Sequence, residues 1–519
     1  MHLSSIDIAI VLIYVGATIA AGAIARSSIK GISDFLAAGR SLRTPTASAT
    51  YISTGLGLVT VMYFAEEGFK NGFALFLFGI IAFAAHMVIA HSGFIVSRLR
   101  HLRVLTVPEF YELKYSRGVR ILGGLLLGIA GTLNMGLFPI LGSRFVVGFT
   151  GLPIEYVNFV MVAMLIVVVI YTLMGGMVSV VLTDFAQFVL LSLGFLFGTY
   201  VILSHPLLGW DTIVESLEHH KGASAFDTVI NPDFGWYWIL YMFMVQFIGV
   251  VWQPEMMRPL SAENSRVARR VFWFSATTTI GRTMIPVFWG AAAFVWVNLP
   301  SYAGQYADDG RYAMPEMLGQ ILPIGIAGLM LAGMFAAFMS THDSYLLAWS
   351  GVIVRDVISP AKALLAGSRQ ERLADDTWGG LTSEREVYWT RAVVVMLAVF
   401  LAIFGAFYTP PETSFKFMYV TGTIYFAGAV GTVALGLYWR RANTVGAYSA
   451  LIMGGICPIS FLILAEAPEV LPASIRFLAE NSNVSALSSL VLGGLGMVVG
   501  SLLTQKSHPA RSLDFSGME

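Results

Sequence analysis

Met339-Ser340-Thr341-His342-Asp343-Ser344 lies inside an apolar run from Ile321 to Ile358, long enough to cross a bilayer. An aspartate near mid-bilayer costs about 2.5–3.5 kcal/mol on insertion scales, so such a group usually faces a cavity, a partner or an ion. On a helix, Ala337, Ser340, Thr341 and Ser344 stand at i, i+3, i+4 and i+7. Three hydroxyls and one small residue then share a face, with Asp343 on its shoulder. That face can hold a small hard cation; close helix packing by small residues is the alternative.

Working outward, the composition fixes the class. The chain has 519 residues, 56% hydrophobic and 12% charged, with a mean hydropathy of +0.74. Those values describe an all-α, polytopic integral membrane protein with no sizeable soluble domain. A net charge of zero gives no basis for a nucleic-acid partner, and the single Cys457 excludes an internal disulfide or a cysteine-built metal site. No triad, metal-ligand cluster or phosphate loop points to an enzyme. The first apolar run, 6–25, is followed rather than preceded by basic residues, Arg26 and Lys30, the reverse of a signal peptide. It is read as a span.

Runs of about 20 apolar residues predict thirteen transmembrane helices, beginning near Ile6, Thr44, Phe73, Ile121, Tyr156, Val178, Trp236, Val271, Ile321, Tyr388, Phe417, Gly446 and Val484. With the N-terminus outside, the inner segments 26–43, 98–120, 258–270, 355–391, 440–441 and 506–511 hold most of the 31 Lys and Arg. Only Lys70, Lys221, Arg311, Lys416 and Arg476 fall outside, with Arg144 and Arg282 inside spans. The positive-inside rule then predicts a cell (inner) membrane protein with its N-terminus outside and its C-terminus cytosolic.

A five-helix unit that recurs must return inverted, and two interrupted helices stand at matching places. The second span is broken at Thr54-Gly55-Leu56-Gly57, and the seventh, five spans later, at Gly249 and Gln253-Pro254. Unwound backbone in a membrane must line a cavity or be buried in protein, and carbonyls freed near Ser53 and Leu56 are ready cation ligands. Residues 1–43 are expected to form an extra helix and inner loop, 44–204 and 235–437 the two inverted repeats, and 438–519 two more helices and a short tail.

Further pieces are Phe35-Leu36-Ala37-Ala38-Gly39-Arg40-Ser41-Leu42, Val107-Pro108-Glu109-Phe110-Tyr111, Gly175-Gly176 with Val181-Leu182-Thr183-Asp184 and Gln187, Gln253-Pro254 with Arg258 and Ala262-Glu263-Asn264-Ser265, and Ser340-Thr341 with Asp343-Ser344 ahead of Arg355-Asp356. In this order, across nearly the whole chain, they resemble the solute:sodium symporter family. The resemblance implies a leucine-transporter-type core, one helix in front and two behind, and import of a small organic solute such as an amino acid or carboxylate with sodium. It also implies a sodium site from the backbone carbonyls of Ser53, Leu56 and Ala337 and the hydroxyls of Ser340 and Thr341. A second cation site would use Asp184 and Ser344. Asp343 stands where that pattern has a hydroxyl, leaving sodium or a proton open.

For the solute, the resemblance points to Gly55, Gly57, Thr60, Asn134, Gln246, Val250, Thr421 and Tyr425. Proline-carrying members are acidic at the place of Gly55, and an anion-carrying relative has an arginine at that of Asn134. Arg282 either meets an anionic solute or pairs with a carboxylate. His86 and His91 are read as packing residues, and Thr106 with Glu109 as a capping box. A monomer or weak oligomer is expected. A membrane solute sensor acting through a separate partner is the alternative function.

Overall fold

The computed structural model describes residues 3–25, 32–302, 304, 306–367, 381–410, 413–464, 467–470, 472–476 and 480–515. Lys30 and much of the basic segment 355–391 therefore lie outside the described residues. Among these residues the chain is helical, apart from one isolated bridge between Leu42 and Ala262.

The first helix, α1, covers Ser5–Ala25. The second span is in two pieces, α2 (Thr44–Gly55) and α3 (Leu58–Asn71), and α4 covers Phe76–Ser92. Then come α5 (Val107–Lys114), α6 (Arg117–Met135), α7 (Phe138–Thr150) and α8 (Val157–Ser204). The second half holds α9 (Gly235–Ile248), α10 (Gln253–Ser261), α11 (Ser265–Val297) and α12 (Ile326–Val352). Last are α13 (Ser383–Phe407), α14 (Ser414–Ala429), α15 (Thr444–Leu464) and α16 (Ser482–Thr504).

Among the described residues ten stretches are long and apolar enough to cross a membrane, and the α9/α10 pair, bent by 51°, makes eleven. The other two of the expected thirteen are α1, whose apolar part is the shorter Ser5–Ala20, and the α2/α3 pair, since Leu58–Ser92, which holds α3 and α4, is one of the ten although the chain reverses within it. The α8 helix contains two of the spans. A straight helix would set residues twelve apart roughly 18 Å from each other, yet the Tyr171 and Thr183 hydroxyls are 2.5 Å apart. The backbone turns back between them.

Both expected breaks are present. Leu56 (φ −97°, ψ 53°) and Gly57 (φ −77°, ψ 159°) leave the helical region between α2 and α3. After α9 the chain runs through a 3₁₀ turn at Gly249–Val251 and an extended Trp252 before α10. The proline in α10's first turn needs no N–H partner there, which favours a new helix start.

The α2/α3 pair runs beside α11 in the same sense, with Tyr51 at Phe272 and Phe69 at Phe294. The α4 helix returns the other way, with Gly79 at Thr283 and His86 at Ser275. The reversal is at Gly72, whose φ of +60° suits glycine alone.

Buried charges fasten other elements. Asp7 of α1 accepts from the Gly325 and Gly328 N–H groups, both at 2.8 Å, at the start of α12. A carboxylate there satisfies orphan donors and complements the helix dipole. At the other end of α12, Arg120 meets Glu112 at 2.7 Å and Asp356 at 2.8 Å, and Arg355 meets Glu386 at 2.8 Å and Glu109 at 3.8 Å.

The expected capping box at Thr106 does not form. Glu109 accepts instead from the Leu105 N–H (2.7 Å), and the Thr106 hydroxyl is drawn to Asp356 (2.9 Å), a buried carboxylate from the end of α12.

Candidate functional site

The break in α2/α3 faces the middle of α12. Ser340 Oγ lies 3.3 Å from the carbonyl oxygens of both Ser53 and Ala337. Thr341 Oγ1 lies 3.3 Å from the Thr54 carbonyl, and Leu56 occupies the break itself. Gly57 permits the approach, since a Cβ there would collide with Thr341 Oγ1. An all-oxygen set of carbonyls and hydroxyls, buried and without a carboxylate of its own, is chemistry suited to a hard cation of low charge.

One turn further along α12 the second expected set also assembles. The Ser344 hydroxyl bonds Asp343 Oδ1 at 3.0 Å and lies 3.3 Å from Thr54 Oγ1, while Thr50 donates to Asp184 Oδ2. Sequence reasoning missed the cation already between them. Arg258 of α10 donates to the Ser344 hydroxyl, lies 3.3 Å from Thr50 Oγ1 and 3.8 Å from Asp184 Oδ2, and bonds the Pro254 carbonyl at 2.6 Å. All three charged residues are fully buried, and Asp184 Oδ1 and Asp343 Oδ2 have no hydrogen-bond partner among the described residues. With both carboxylates ionised the cluster carries one uncompensated negative charge.

Beside the broken helices lies a cavity of about 180 Å³, continuous in its lining with a neighbouring one of about 160 Å³. Gly55, Thr60, Asn134 and Gln246 line the first, and Gln246 and Val250 the second. Three expected solute residues line neither. Gly57 packs on Thr341, the Thr421 hydroxyl bonds Phe417 O (2.8 Å), and Tyr425 meets the Tyr111 hydroxyl at 2.7 Å. Asn134 spends its amide on Met418 O at 2.8 Å and Thr421 Oγ1 at 3.1 Å.

The charged residues of both cavities are Arg282 and Glu255, 3.9 Å apart, with side chains 22% and 19% exposed. Sequence reading noted Arg282 but not Glu255. Aromatic walls come from Tyr63, Phe138, Trp252, Tyr345 and Phe426. His86 is buried, lies 3.3 Å from Thr279 Oγ1 and lines the second cavity, whereas His91, expected to pack, is exposed and bonds the Met87 carbonyl.

The ends of three walls are tied beyond the cavity. Asp233, ahead of α9, meets Lys70 of α3 at 2.8 Å, Lys416 of α14 at 3.1 Å and Asn71 at 3.0 Å. Burial alone would raise its pKa. Lys70 and Lys416 overcome that and hold it down at about 2.

The model of the sodium:solute symporter family matches residues 35–454, and the chain belongs to that family. It is 22% identical to the sodium/glucose cotransporter of Vibrio parahaemolyticus over 92% of this chain and 87% of that one. It is 24% identical to the sodium/proline symporter of Salmonella typhimurium, covering 95% and 92%. A solved substrate-bound, outward-open Na⁺-coupled sialic acid symporter superposes with a TM-score of 0.74 at 18% identity, over 98% of this chain and all of that one. The protein is thus a multi-pass, sodium-coupled symporter of the leucine-transporter-type fold, not an enzyme.

Proposed function

We propose that the protein imports a small amino acid or another small carboxylate with sodium by alternating access, one inverted repeat (44–204) moving against the other (235–437). What carries the reading is the Ser340 hydroxyl lying between the Ser53 and Ala337 carbonyls, beside a cavity whose charges are Arg282 and Glu255. Sodium is held by Ser53, Leu56, Ala337, Ser340 and Thr341. Its binding joins the α2/α3 break to α12 and so orders the cavity wall that Gly55 and Thr60 supply. The solute lies among Gly55, Thr60, Asn134, Gln246 and Val250. A solute carboxylate meets Arg282, and an ammonium meets Glu255. Gly57 acts by letting Thr341 approach the break and Thr421 by holding the Asn134 side chain, while Tyr425 is bonded to Tyr111 off the cavity.

Asp184, Asp343 and Ser344 hold a second exchangeable cation, sodium or a proton, which neutralises the charge left over by Arg258. The N-terminus lies outside and the C-terminus in the cytosol of the cell (inner) membrane, and the protein works as a monomer or weak oligomer. One charge moving down 100 mV yields about 2.3 kcal/mol, enough for roughly fifty-fold accumulation of a neutral solute. The test is a panel of amino acids, other carboxylates and sugars, each measured by thermal shift of the purified protein in sodium and in potassium. A sodium-dependent shift with a carboxylate supports the reading. A shift with sugars alone contradicts it.

A further inference from the structure

Away from the solute cavity, a cavity of about 640 Å³ opens where the first basic loop meets the start of α11. Four arginines line it, Arg40, Arg100, Arg103 and Arg266, together with His101; Glu263 is the acidic residue among the lining residues. Arg100 is 8% exposed and Arg40 9%, so two of the four are held in the wall rather than waving in solvent. Arg100 bonds the Ala262 carbonyl at 2.5 Å and the Glu263 carbonyl at 3.1 Å, and Arg40 bonds the Arg103 carbonyl at 2.7 Å. For Arg100 these carbonyls aim the guanidinium without neutralising it. The 33-residue α11 starts on the same wall, capped by Asn264, and adds the positive end of its dipole. Burial first, and then the nearby Arg40 and Arg103, push the Arg100 pKa down to about 10.

We infer that this cavity binds a phosphate-bearing anion, which the Arg40, Arg100, Arg103 and Arg266 guanidiniums grip. Several arginines around one space match the several acceptor oxygens of a phosphate better than the two of a carboxylate. The cavity is also larger than the ion alone, leaving room for an ester. A phospholipid head group and a free organic phosphate share this chemistry.

The place gives the site a consequence for transport. Leu42 pairs with the chain after α10, with Leu42 N–H on Ser261 O at 3.1 Å and Glu263 N–H on Leu42 O at 3.0 Å. That pairing joins the start of α2 to the end of α10, the basic ends of the two broken helices, and Arg100 holds the same Ala262–Glu263 backbone. An anion drawing the arginines together clamps those ends.

The test is thermal shift of the full chain in detergent at constant ionic strength. The probes are inorganic phosphate, dihexanoyl phosphatidic acid and, as controls, chloride and dihexanoyl phosphatidylcholine. We expect a saturable rise in Tm with a phosphate probe beyond the controls, weakened at least about tenfold in Arg103→Ala/Arg266→Ala, as lost charge-assisted bonds imply. A rise with both probes assigns the phosphate group itself, and a rise with phosphatidic acid alone assigns the lipid. No rise beyond chloride, or the same rise in the variant, overturns the proposal. Should the double variant not fold, Arg266→Ala, at an exposed position, must still weaken the response; an unchanged response again overturns it. The assay needs neither solute nor sodium, so its failure leaves the symport reading standing.

Discussion

Arg282 Nη1 lies 3.9 Å from Glu255 Oε1 and fills the space that a side chain on residue 55 would take, since a Cβ on Gly55 would collide with it. A break residue, a cavity cation and a cavity anion thus depend on one another. Arg282→Gln should weaken binding of a carboxylate solute by about ten- to a hundred-fold, the worth of one charge-assisted bond, while leaving the thermal response to sodium in place. Gly55→Ala should weaken solute binding in the same direction by displacing Arg282. Isothermal titration of the three proteins with the best solute of the panel checks both, and full affinity in Arg282→Gln would remove the carboxylate contact.

The Arg258 cluster behaves as a unit. Removing the cation from a buried ion cluster leaves uncompensated charge and costs about 3–5 kcal/mol, so Arg258→Met should lower the stability strongly. Asp343→Asn leaves one Arg258 to one Asp184 and should cost far less. It should also lower the charge moved per solute in proteoliposomes at fixed voltage, because the balanced cluster no longer calls for a second cation. Unchanged coupled charge would make Asp343 structural.

The Asp233 clasp predicts a pH dependence with a definite sign. Its folded pKa, about 2, is below the unfolded value of about 3.9. The stabilisation is therefore fully present above about pH 4 and is lost as pH falls through about 2. Wild type should exceed Asp233→Asn in Tm near pH 6, and the two should converge as pH approaches 2. A gap independent of pH would separate the clasp from the charge of Asp233.

The two helix breaks were legible because Gly55, Gly57, Gly249 and Pro254 act on their own backbone, where one sequence suffices. Helical spacing gathers Ser340 and Thr341 on one face, and the family resemblance pointed that face to the first break, where the structure has it. The pairings were not legible. Arg258 reaches Ser344 and Asp184, and Arg282 reaches Glu255, across separate segments, so no local pattern marks them. The same distance misled the reading of Thr106, whose expected capping box with Glu109 does not form because its hydroxyl is taken by Asp356 and Glu109 accepts from the Leu105 N–H. Thr421 and Tyr425 share a helical face, as their spacing says, but it turns toward Asn134 and Tyr111 rather than the cavity.

Orientation is testable with little background, because the one native cysteine, Cys457, is buried. A cysteine at exposed Asp308 should react with an impermeant thiol reagent added to intact cells. One at exposed Arg441 should react only after permeabilisation, as the positive-inside rule requires. The opposite pattern would invert the topology.

Equilibrium binding of radioactive sodium to the purified protein tests most directly whether sodium binds where the α2/α3 break meets Ser340 and Thr341. Losing one hydrogen-bonding or cation-ligating hydroxyl costs about 1–3 kcal/mol. Ser340→Ala and Thr341→Ala should each therefore raise the sodium Kd by about tenfold or more in a protein that remains folded. Wild-type sodium affinity in both variants would contradict the account.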